Sequence, residues 1–359
     1  MKKGWEYVKL SEAVRSKGSN LSLKKLNKNK GDYDVFGAKG HVGKLDKYGV
    51  DVEYLSIIKD GAGVGRIKKQ PAKSSILATM QYLIPKSGFD IDFIKYFLES
   101  IDFKKYVTGS TIPHIYFKDY NVEKIPYLCT EEQKAIVAKL DQAFAAIDGS
   151  IANVEKNIAN AEELFQSKLN VIFSQTGEGW EVMRLGEVCE NLDKKRKPIT
   201  KNKRTSGEIP YYGASGIVDY VKGHLFDEDL LLVSEDGANL VARKYPIAFS
   251  IKGKSWVNNH AHVLRFKNFN SQKFIEFYLN SISLSPYISG MAQPKMNQRK
   301  LNSIPVPNPD LSTQKSIVLQ IEKLTNSLNS VKQKYQQKLS SLEELKQSIL
   351  EKAFKGELV

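Results

Sequence analysis

The fold of this chain is decided by residues 131–173, which read EEQKAIVAKLDQAFAAIDGSIANVEKNIANAEELFQSKLNVIF. Apolar residues recur three and four positions apart along the stretch, which is the heptad pattern of a coiled-coil seam. It has no proline and a single glycine, Gly149, which costs about 1 kcal/mol in a helix. At about 1.5 Å per residue, the pattern predicts one helix on the order of 60 Å long. The seam comprises Val137, Leu140, Phe144, Ile147, Ile151, Val154 and Ile158.

The same stretch occurs a second time. QKAIV at 133–137 returns as QKSIV at 314–318, and EELFQS at 162–167 returns as EELKQS at 343–348. Lys332 and Lys346 stand in the second seam where the first has Ile151 and Phe165. Two seams of equal length can bury each other, so we predict that the helices pack as an antiparallel coiled coil and form a rigid spacer. The second seam comprises Val318, Ile321, Leu328, Tyr335, Leu339 and Leu342.

The repeat continues into the stretches that precede each helix. GWEYVKL at 4–10 matches GWEVMRL at 179–185, FGAKG at 36–40 matches YGASG at 212–216, and each copy has a glycine loop, at 109–113 and at 290–294. Short strand-like runs with little helix fill the rest of each copy. We therefore predict an α+β fold: an internal duplication of two mixed α/β domains with two long helices, in a pseudo-two-fold arrangement. The expected boundaries are 1–130, 131–174, 175–312 and 313–359.

Length and charge bound the class of protein. A chain of 359 residues is typical of two globular domains. Its net charge of +14 indicates a polyanionic partner, and nucleic acid is favoured over a membrane because no amphipathic anchor is evident. We expect a cytoplasmic protein, since no signal region and no membrane-spanning run are recognised. Cys129 and Cys189 are isolated, which argues against zinc and against a disulfide framework.

Basic residues are clustered at matching places in the two copies. If the polyanionic partner is DNA, lysine and arginine contacts to phosphate supply affinity and position, whereas a smaller polar set reads the base edges. The residues expected on the phosphate side are Lys24, Lys25, Lys28, Lys195, Arg196, Lys197, Lys203 and Arg204. The candidates for base reading are Lys39, His41, Arg66, Ser215, Asn239, Arg243, Asn258 and Asn259. For each candidate, an ordinary surface residue is the competing interpretation.

The sequence shows no recognised catalytic motif. DGAGVG at 60–65 lacks the Gly-Lys-Ser/Thr of a phosphate-binding loop and is interpreted as a turn. No Gly-x-Gly loop lies at a strand-to-helix junction, so we do not expect this chain to bind S-adenosylmethionine. His260 and His262 would face one side of a strand, but no third metal ligand is evident, and an ordinary histidine pair is the favoured reading. We predict a non-catalytic chain with no metal and no cofactor of its own.

The duplicated motifs resemble those of a known family. IP at 125–126 followed by EQKAIVAKLD at 132–141, GMAQPKMN at 290–297 and the trailing IPVP at 304–307 are similar to the specificity (S) subunit of type I restriction-modification systems. The resemblance covers essentially the whole chain in both copies. The first glycine loop departs from it, because it lacks the Gln and Asn of the second.

That resemblance implies a function in complex with other subunits. Each globular half would be a target recognition domain that reads half of a split double-stranded DNA sequence, and the helices would set the gap between the half-sites. Two methyltransferase (M) subunits would dock on the helices and methylate adenine with S-adenosylmethionine. Endonuclease (R) subunits would add ATP- and Mg-dependent translocation. A rigid spacer predicts half-sites roughly one helical turn of DNA apart.

Two other interpretations remain open at the level of sequence. In the first, the chain is a coiled-coil scaffold whose basic loops bind RNA or bridge proteins without reading sequence. In the second, it is a stand-alone nuclease with an unrecognised site. Salt-dependent binding does not separate these interpretations from sequence reading, because any basic protein shows it. A ratio of affinities among duplexes of different sequence does separate them.

Overall fold

The computed structural model describes residues 4–26, 31–174, 180–290 and 292–358. The chain divides into two compact units. Unit 1 comprises Met1–Glu155 and Gln336–Val359, and unit 2 comprises Lys156–Tyr335. Each unit therefore contains one globular domain and a part of each long helix.

The globular part of unit 1 mixes short strands with short helices and leads into the first long helix. Its elements are β1 (Glu6–Lys9), α1 (Leu10–Ala13), β2 (Val14–Gly18), α2 (Leu23–Leu26), β3 (Tyr33–Gly37), β4 (Gly40–Leu45), β5 (Tyr54–Ile58), β6 (Ile67–Gln70), β7 (Ser75–Ile76), β8 (Met80–Pro85), α3 (Ile91–Ser100), a 3-10 helix (Phe103–Tyr106), α4 (Phe117–Tyr120), β9 (Lys124–Tyr127) and the long α5 (Thr130–Ser174).

The globular part of unit 2 follows the same order and leads into the second long helix. Its elements are β10 (Glu181–Arg184), α6 (Leu185–Val188), β11 (Glu190–Asn191), 3-10 helices (Asp193–Lys195 and Lys201–Lys203), β12 (Ser206–Gly213), β13 (Gly216–Val221), β14 (Phe226–Asp227), β15 (Leu230–Ser234), α7 (Asn239–Ala242), β16 (Ala248–Ile251), β17 (Lys254–Val257), β18 (Ala261–Arg265), α8 (Phe269–Ser281), a 3-10 helix (Ser285–Tyr287), α9 (Gln298–Asn302), β19 (Pro305–Asn308) and the long α10 (Leu311–Lys355).

The sheets of the two units have matching topology. An antiparallel sheet of order β2-β8-β5-β6 in unit 1 corresponds to β11-β18-β15-β16 in unit 2. A second sheet contains one parallel pair in each unit, β3 with β7 and β12 with β17. A two-stranded ribbon, β1-β9 or β10-β19, leads into each long helix. Every residue of β5 and of β15 is buried, as expected for the central strands of a covered sheet.

A buried glutamine anchors the start of each long helix. Gln133 accepts a hydrogen bond from the backbone N–H of Asp90 (2.7 Å) and donates to the carbonyls of Gly88 (2.7 Å) and Leu128 (2.9 Å). In unit 2, Gln314 accepts from the Ser271 hydroxyl and donates to the carbonyl of Pro309. These contacts explain why the glutamine is repeated in the sequence, since a buried amide needs partners for both of its polar atoms.

The core of unit 1 combines the N-terminal half of α5 with the C-terminal end of α10. Leu140 and Phe144 of α5 belong to the same buried cluster as Phe93 of α3 and Leu350 of α10. The Phe354 ring lies 5.2 Å from the Phe93 ring and 5.3 Å from the Phe97 ring, measured between centroids. The end of α10 therefore completes the core of the first globular domain.

In unit 2 the two long helices exchange roles, because the core there combines the start of α10 with the end of α5. Val318 and Ile321 of α10 share a buried cluster with Phe173 of α5 and Phe274 of α8. The Phe173 ring lies 5.6 Å from Phe274 and 5.3 Å from Tyr278. The repeat of Phe173 as Phe354 thus has a packing cause, because each ring contacts two aromatic side chains on the short helix of its unit.

The helix segments pair antiparallel within each unit. In unit 1, Lys346 of α10 contacts Asp148 of α5, and Lys139 donates to the carbonyl of Leu358. In unit 2, Lys332 contacts Glu162. The two lysines that interrupt the second seam therefore pair with acidic side chains of the first helix. All thirteen predicted seam residues are buried or half-buried. The predicted fold class, two mixed α/β domains with two long packed helices, is confirmed.

Candidate nucleic-acid interface

Four polar segments of unit 2 are joined at one edge of its sheets. The basic segment 192–204 contacts the end of β17, because the Trp256 indole N–H donates to the Lys197 carbonyl (2.6 Å). The turn between β12 and β13, which carries Ser215, is held by a bond from the Ser234 hydroxyl to the Ala214 carbonyl. The fourth segment is the Asp-Gly-Ala turn after β15 (residues 236–238). It contacts the glycine loop, because the Gly237 N–H donates to the Pro294 carbonyl (3.0 Å).

Unit 1 brings the corresponding segments together. The Leu77 N–H donates to the Phe36 carbonyl (3.0 Å), next to the turn that carries Lys39, and the Ala78 N–H donates to the Leu21 carbonyl (2.8 Å), next to α2. In the Asp-Gly-Ala turn after β5 (residues 60–62), the Gly61 N–H donates to the Pro113 carbonyl of the glycine loop (2.9 Å). The same four parts are thus assembled in both units: a basic segment, a hairpin turn, the Asp-Gly-Ala turn and the glycine loop.

The first glycine loop is closed by the same pair of backbone hydrogen bonds as the second, despite its different sequence. Thr108 and His114 exchange two backbone hydrogen bonds of 2.8 Å, as Ser289 and Lys295 do at 2.9 and 2.8 Å. Gly109 has φ = +86°, where a Cβ would lie 2.4 Å from the Ile112 carbonyl oxygen. Glycine is required at this position because it alone avoids that contact and adopts this φ readily.

The predicted phosphate contacts fall into three groups. The side chains of Lys24, Lys25, Lys195, Lys197 and Lys203 are exposed. Lys28 lies outside the described residues. The two arginines are engaged internally: Arg204 bonds to Asp219 (2.9 Å) and stacks over Tyr211 (4.4 Å to the centroid), and Arg196 is nearly buried. The exposed lysines are the members that can reach a phosphate directly.

The predicted base-reading residues also divide by their contacts. Lys39, His41, Arg66, Ser215 and Asn259 are exposed, although His41 contacts Asp34 (3.1 Å). Three others serve the fold. Asn239 accepts from the N–H of Tyr245 and donates to its carbonyl, both at 3.0 Å. Arg243 donates to the carbonyls of Asn280 (3.1 Å) and Ile282 (2.6 Å). Asn258 is buried, and its side chain accepts from the His260 N–H.

A charged cluster lies beneath this edge in unit 2. His262 Nδ1 lies 2.6 Å from Asp193 and its Nε2 lies 2.7 Å from the Met296 carbonyl. Glu235 and Asp193 complete a set of three ligand atoms that lie within 4.8 Å of one another. The structure thus supplies the carboxylates that sequence analysis did not find near His262, while His260 lies in the turn before β18.

Arg196 already neutralises these carboxylates. Its Nη1 is 2.7 Å from Glu235, and its Nη2 is 3.4 Å from Asp193. Burial by itself would raise the pKa of the Asp193 carboxyl, but the hydrogen bond from His262 and the charges of His262 and Arg196 hold that pKa below its ordinary value. The pKa of the Glu235 carboxyl is lowered in the same way. Burial by itself would raise it, but the contacts with Arg196, His262 and Lys295 lower it further than burial raises it. We interpret the cluster as an internal ion network rather than a metal site, because a cation and two bonded imidazole nitrogens occupy it.

One pair of contacts was missed by sequence analysis. The aspartate of each Asp-Gly-Ala turn is bonded to a histidine: Asp60 to His114 (2.7 Å) in unit 1 and Asp236 to His260 (2.9 Å) in unit 2. The repeat of the aspartate was visible in the sequence, but its partners come from non-matching positions. No repeat signal could therefore identify the pair.

Across the part of the chain that the structure describes, no helix is both long enough and apolar enough to cross a membrane.

Three relatives resemble this chain, two of them over most or all of its length. It is 23% identical over 418 aligned residues to the type I restriction enzyme EcoDI specificity subunit of Escherichia coli, with 99% of this chain and 88% of that protein covered. It is 25% identical to the StySPI specificity subunit of Salmonella potsdam, with 88% and 76% covered. A 141-residue match at 38% identity to a putative type I specificity subunit of Haemophilus influenzae covers 39% of this chain and 36% of that protein.

Two solved structures share the fold. A chain from a structure describing complex assembly and conformational transition of the type I R-M system aligns with a TM-score of 0.76 at 16% identity, with 99% of both chains covered. The HsdS subunit of Thermoanaerobacter tengcongensis aligns with a TM-score of 0.55 at 17% identity, with 99% and 98% covered. The family model for the type I restriction modification DNA specificity domain matches residues 2–157 and again residues 177–340. With both halves of the duplication matched, the chain belongs to the family of type I restriction-modification specificity subunits.

Proposed function

We propose that this chain reads a bipartite DNA target, with one half-site for each globular domain. The observation that carries the proposal is that both units assemble the same four segments at a sheet edge, with exposed lysines in each basic segment. A repeated surface of this kind suits a ligand that presents two similar sites. In this reading the domains are 1–130 and 175–312, and the helices 131–174 and 313–359 set the gap between the half-sites.

The exposed lysines position the DNA and the polar turns read it. Lys24, Lys25, Lys195, Lys197 and Lys203 contact phosphates, which attract lysine at long range and carry no sequence information. Lys39, Ser215 and Asn259 are exposed members of the base-reading set. Arg196, Arg204 and Arg243 support the surface from beneath, because their guanidinium groups are bonded within the protein.

We also propose that the long helices dock two methyltransferase subunits. Leu164 of α5 and its repeat Leu345 of α10 are 60% and 46% exposed, so core packing does not explain why the sequence keeps a leucine at both places. A partner that binds once to each helix does explain it, because docking would remove the apolar surface of each leucine from water. A solved structure with the same fold concerns complex assembly of the type I R-M system, which supports a role for this chain in a larger assembly.

The reaction chemistry in this proposal belongs to the partners. The methyltransferase subunits would use S-adenosylmethionine to methylate adenine in each half-site, and endonuclease subunits would use ATP with Mg. This chain contributes the choice of sequence. Its predicted role is therefore non-catalytic.

The experiment that tests the proposal is to map methylated adenines in the genome of the host, with and without this chain. We expect a two-part motif with a fixed gap that disappears when the chain is deleted and returns on complementation. In parallel, L164E and L345E should abolish co-purification with the methyltransferase subunit. V182E is the matched control, since Val182 is an equally exposed apolar residue of β10 and should leave the complex intact. Unchanged methylation after deletion would refute the proposal and favour a non-specific scaffold.

A further inference from the structure

We propose that His114 and His260 are base-reading side chains, one for each half-site, and that Asp60 and Asp236 orient them. The inference rests on the proposed DNA-reading function. It adds His114, which the sequence did not single out, and gives a role to His260, which the sequence analysis interpreted as an ordinary histidine. It is carried by a carboxylate–imidazole pair that occurs at the same place in both units and is built from different parts of the chain.

In unit 1 the imidazole belongs to the residue that directly follows the glycine loop. His114 Nδ1 lies 2.7 Å from Asp60 Oδ1, and its ring stacks on Tyr116 with centroids 6.4 Å apart and an 18° angle between planes. Gly109 also lies next to the ring, because a Cβ there would be 3.1 Å from the ring carbon Cδ2. Among the described residues, Nε2 has no hydrogen-bond partner, and the side chain is 34% exposed.

In unit 2 the imidazole comes from the turn before β18. His260 Nδ1 lies 2.9 Å from both carboxylate oxygens of Asp236. Its backbone is fixed as well, because the His260 N–H donates to the Asn258 side chain (2.8 Å) and its carbonyl accepts from the Glu235 N–H (2.9 Å). Its Nε2 also lacks a partner within the described part of the chain, and the side chain is 51% exposed.

The two histidines are not equivalent in the repeat. Asp60 and Asp236 occupy the same position after β5 and β15, and the backbone bridges that reach them come from His114 in unit 1 but from Lys295 in unit 2. The Lys295 side chain contacts Glu235 (3.1 Å), and the histidine that contacts Asp236 is His260. The aspartate at the equivalent position of each unit therefore contacts a histidine from a different part of the repeat. The pairing is not a by-product of one backbone arrangement shared by the two units.

Stability does not account for the pairs either. Ion pairs that are open to solvent contribute about 0–1 kcal/mol and often nothing measurable, and the two imidazole side chains are 34% and 51% exposed. What a carboxylate does for a histidine is to accept from Nδ1–H, which fixes the tautomer and the direction of the ring. Nε2 then points away from the carboxylate. A polar atom held in place before binding loses less conformational freedom when it meets its ligand.

A base edge is the ligand that suits this atom. In the neutral ring Nε2 accepts a hydrogen bond, as from the amino group of adenine or cytosine, and in the protonated ring it donates, as to O6 or N7 of guanine. Both rings lie beside the glycine loop and the Asp-Gly-Ala turn, within the assembly of segments that each unit presents. The structure thus assigns one oriented reader to each recognition domain.

The test uses the assembled modification complex with H114A and H260A, and its readout is the motif of methylated adenines. We expect each variant to lose discrimination at one position, by about tenfold or more, and to do so in opposite halves of the motif. D60N and D236N should produce a weaker relaxation in the same halves as their histidines. H224A is the matched control, since His224 is exposed and lies outside the proposed site, and it should keep the wild-type motif.

The outcomes are distinguishable. An unchanged motif in both histidine variants, with co-purification and methylation retained, would overturn the inference and leave the proposed function standing. A uniform loss of methylation at all sites with the motif unchanged would also overturn it, because that result describes a phosphate contact. The absence of a two-part motif from the wild-type chain would instead contradict the proposed function. If an alanine variant fails to fold, H114N and H260N provide the same readout with a smaller change in polarity.

Discussion

Arg196 is the residue on which the charged cluster of unit 2 depends. Its side chain is only 12% exposed and contacts two carboxylates that are themselves almost inaccessible. Removing one partner from a buried ion pair costs more than the pair contributes, because the remaining charges lose their compensation. A basic residue predicted to face DNA thus acts first on the stability of the domain.

We expect R196M to lower the free energy of unfolding by about 3 kcal/mol. Methionine keeps much of the side-chain volume but leaves Asp193 and Glu235 without the guanidinium. Urea denaturation of the purified chain at neutral pH measures the effect. The exposed neighbour provides the control, since K197M should change stability by less than about 0.5 kcal/mol. Equal stability of R196M and the unaltered chain would show that the cluster does not need this cation.

The same cluster predicts an acid-sensitive domain. The pKa values of Asp193 and Glu235 are lowered in the folded state, so the unfolded chain binds more protons at low pH and stability falls as pH falls. The contribution is complete above the ordinary carboxyl pKa values of 3.8 and 4.5. It is lost progressively as the pH falls from those values through the lowered pKa values of the folded state. Urea midpoints measured at about pH 6, 4 and 3 should decline, and the decline should be shallower in the D193N/E235Q variant. Parallel declines in both proteins would assign the acid sensitivity elsewhere.

At the scale of elements, each long helix is attached to its own globular domain at its start and to the other domain at its end. The buried glutamines form the first attachment, and Phe173 and Phe354 form the second. This exchange explains why the strongest repeats in the sequence lie at the two ends of each helix. The middle of each helix needs only a continuous seam.

We expect Q133L to destabilise unit 1 by about 3 kcal/mol, because it leaves the Asp90 N–H and two carbonyls without partners in a buried place. Thermal and urea unfolding measure the loss. Q142L is the matched control, since Gln142 is an exposed residue of the same helix and tolerates leucine. A Q133L chain as stable as Q142L would mean that the helix start is held by apolar packing alone.

The proposed spacer role predicts a change in the target when the helices are lengthened. Inserting seven residues into both α5 and α10 keeps the seam in phase and adds about 10 Å. The gap in the methylated motif should then grow by about three base pairs, at about 3.4 Å per base pair. Sequencing of the methylated genome reads the gap directly. A motif with its original gap would refute the idea that the helices act as a ruler.

At the scale of the whole molecule, the effect of the net charge of +14 depends on which basic side chains are exposed to solvent. Exposed lysines are found in the basic segments of both units, whereas several arginines are neutralised inside. The bulk charge therefore indicates a polyanionic partner more reliably than it indicates which residues touch that partner. The exposed lysines are the part of the charge that salt can screen.

Salt dependence gives the corresponding prediction. K195A/K197A should weaken binding to all DNA sequences alike and reduce the slope of log K against log salt concentration by about 1.8, because each neutralised phosphate accounts for roughly 0.9 of that slope. Fluorescence anisotropy with a duplex at several salt concentrations measures the slope. K267A/K315A is the charge-matched control, because both lysines are exposed and neither lies in a basic segment. An altered sequence preference in K195A/K197A would instead make these lysines base readers.

The sequence by itself determined the duplication, the two long helices and the family, because heptad spacing and repeated motifs are local patterns that survive without knowledge of contacts. The tertiary structure alone decided which polar residues are available. Arg196 meets Glu235 39 positions away, His262 meets Asp193 69 positions away, and His114 meets Asp60 54 positions away. Partners so distant in the chain are selected by the packing of strands, and no spacing along the sequence encodes them. The fold was therefore predictable, whereas the division of its charged residues into supports and readers was not.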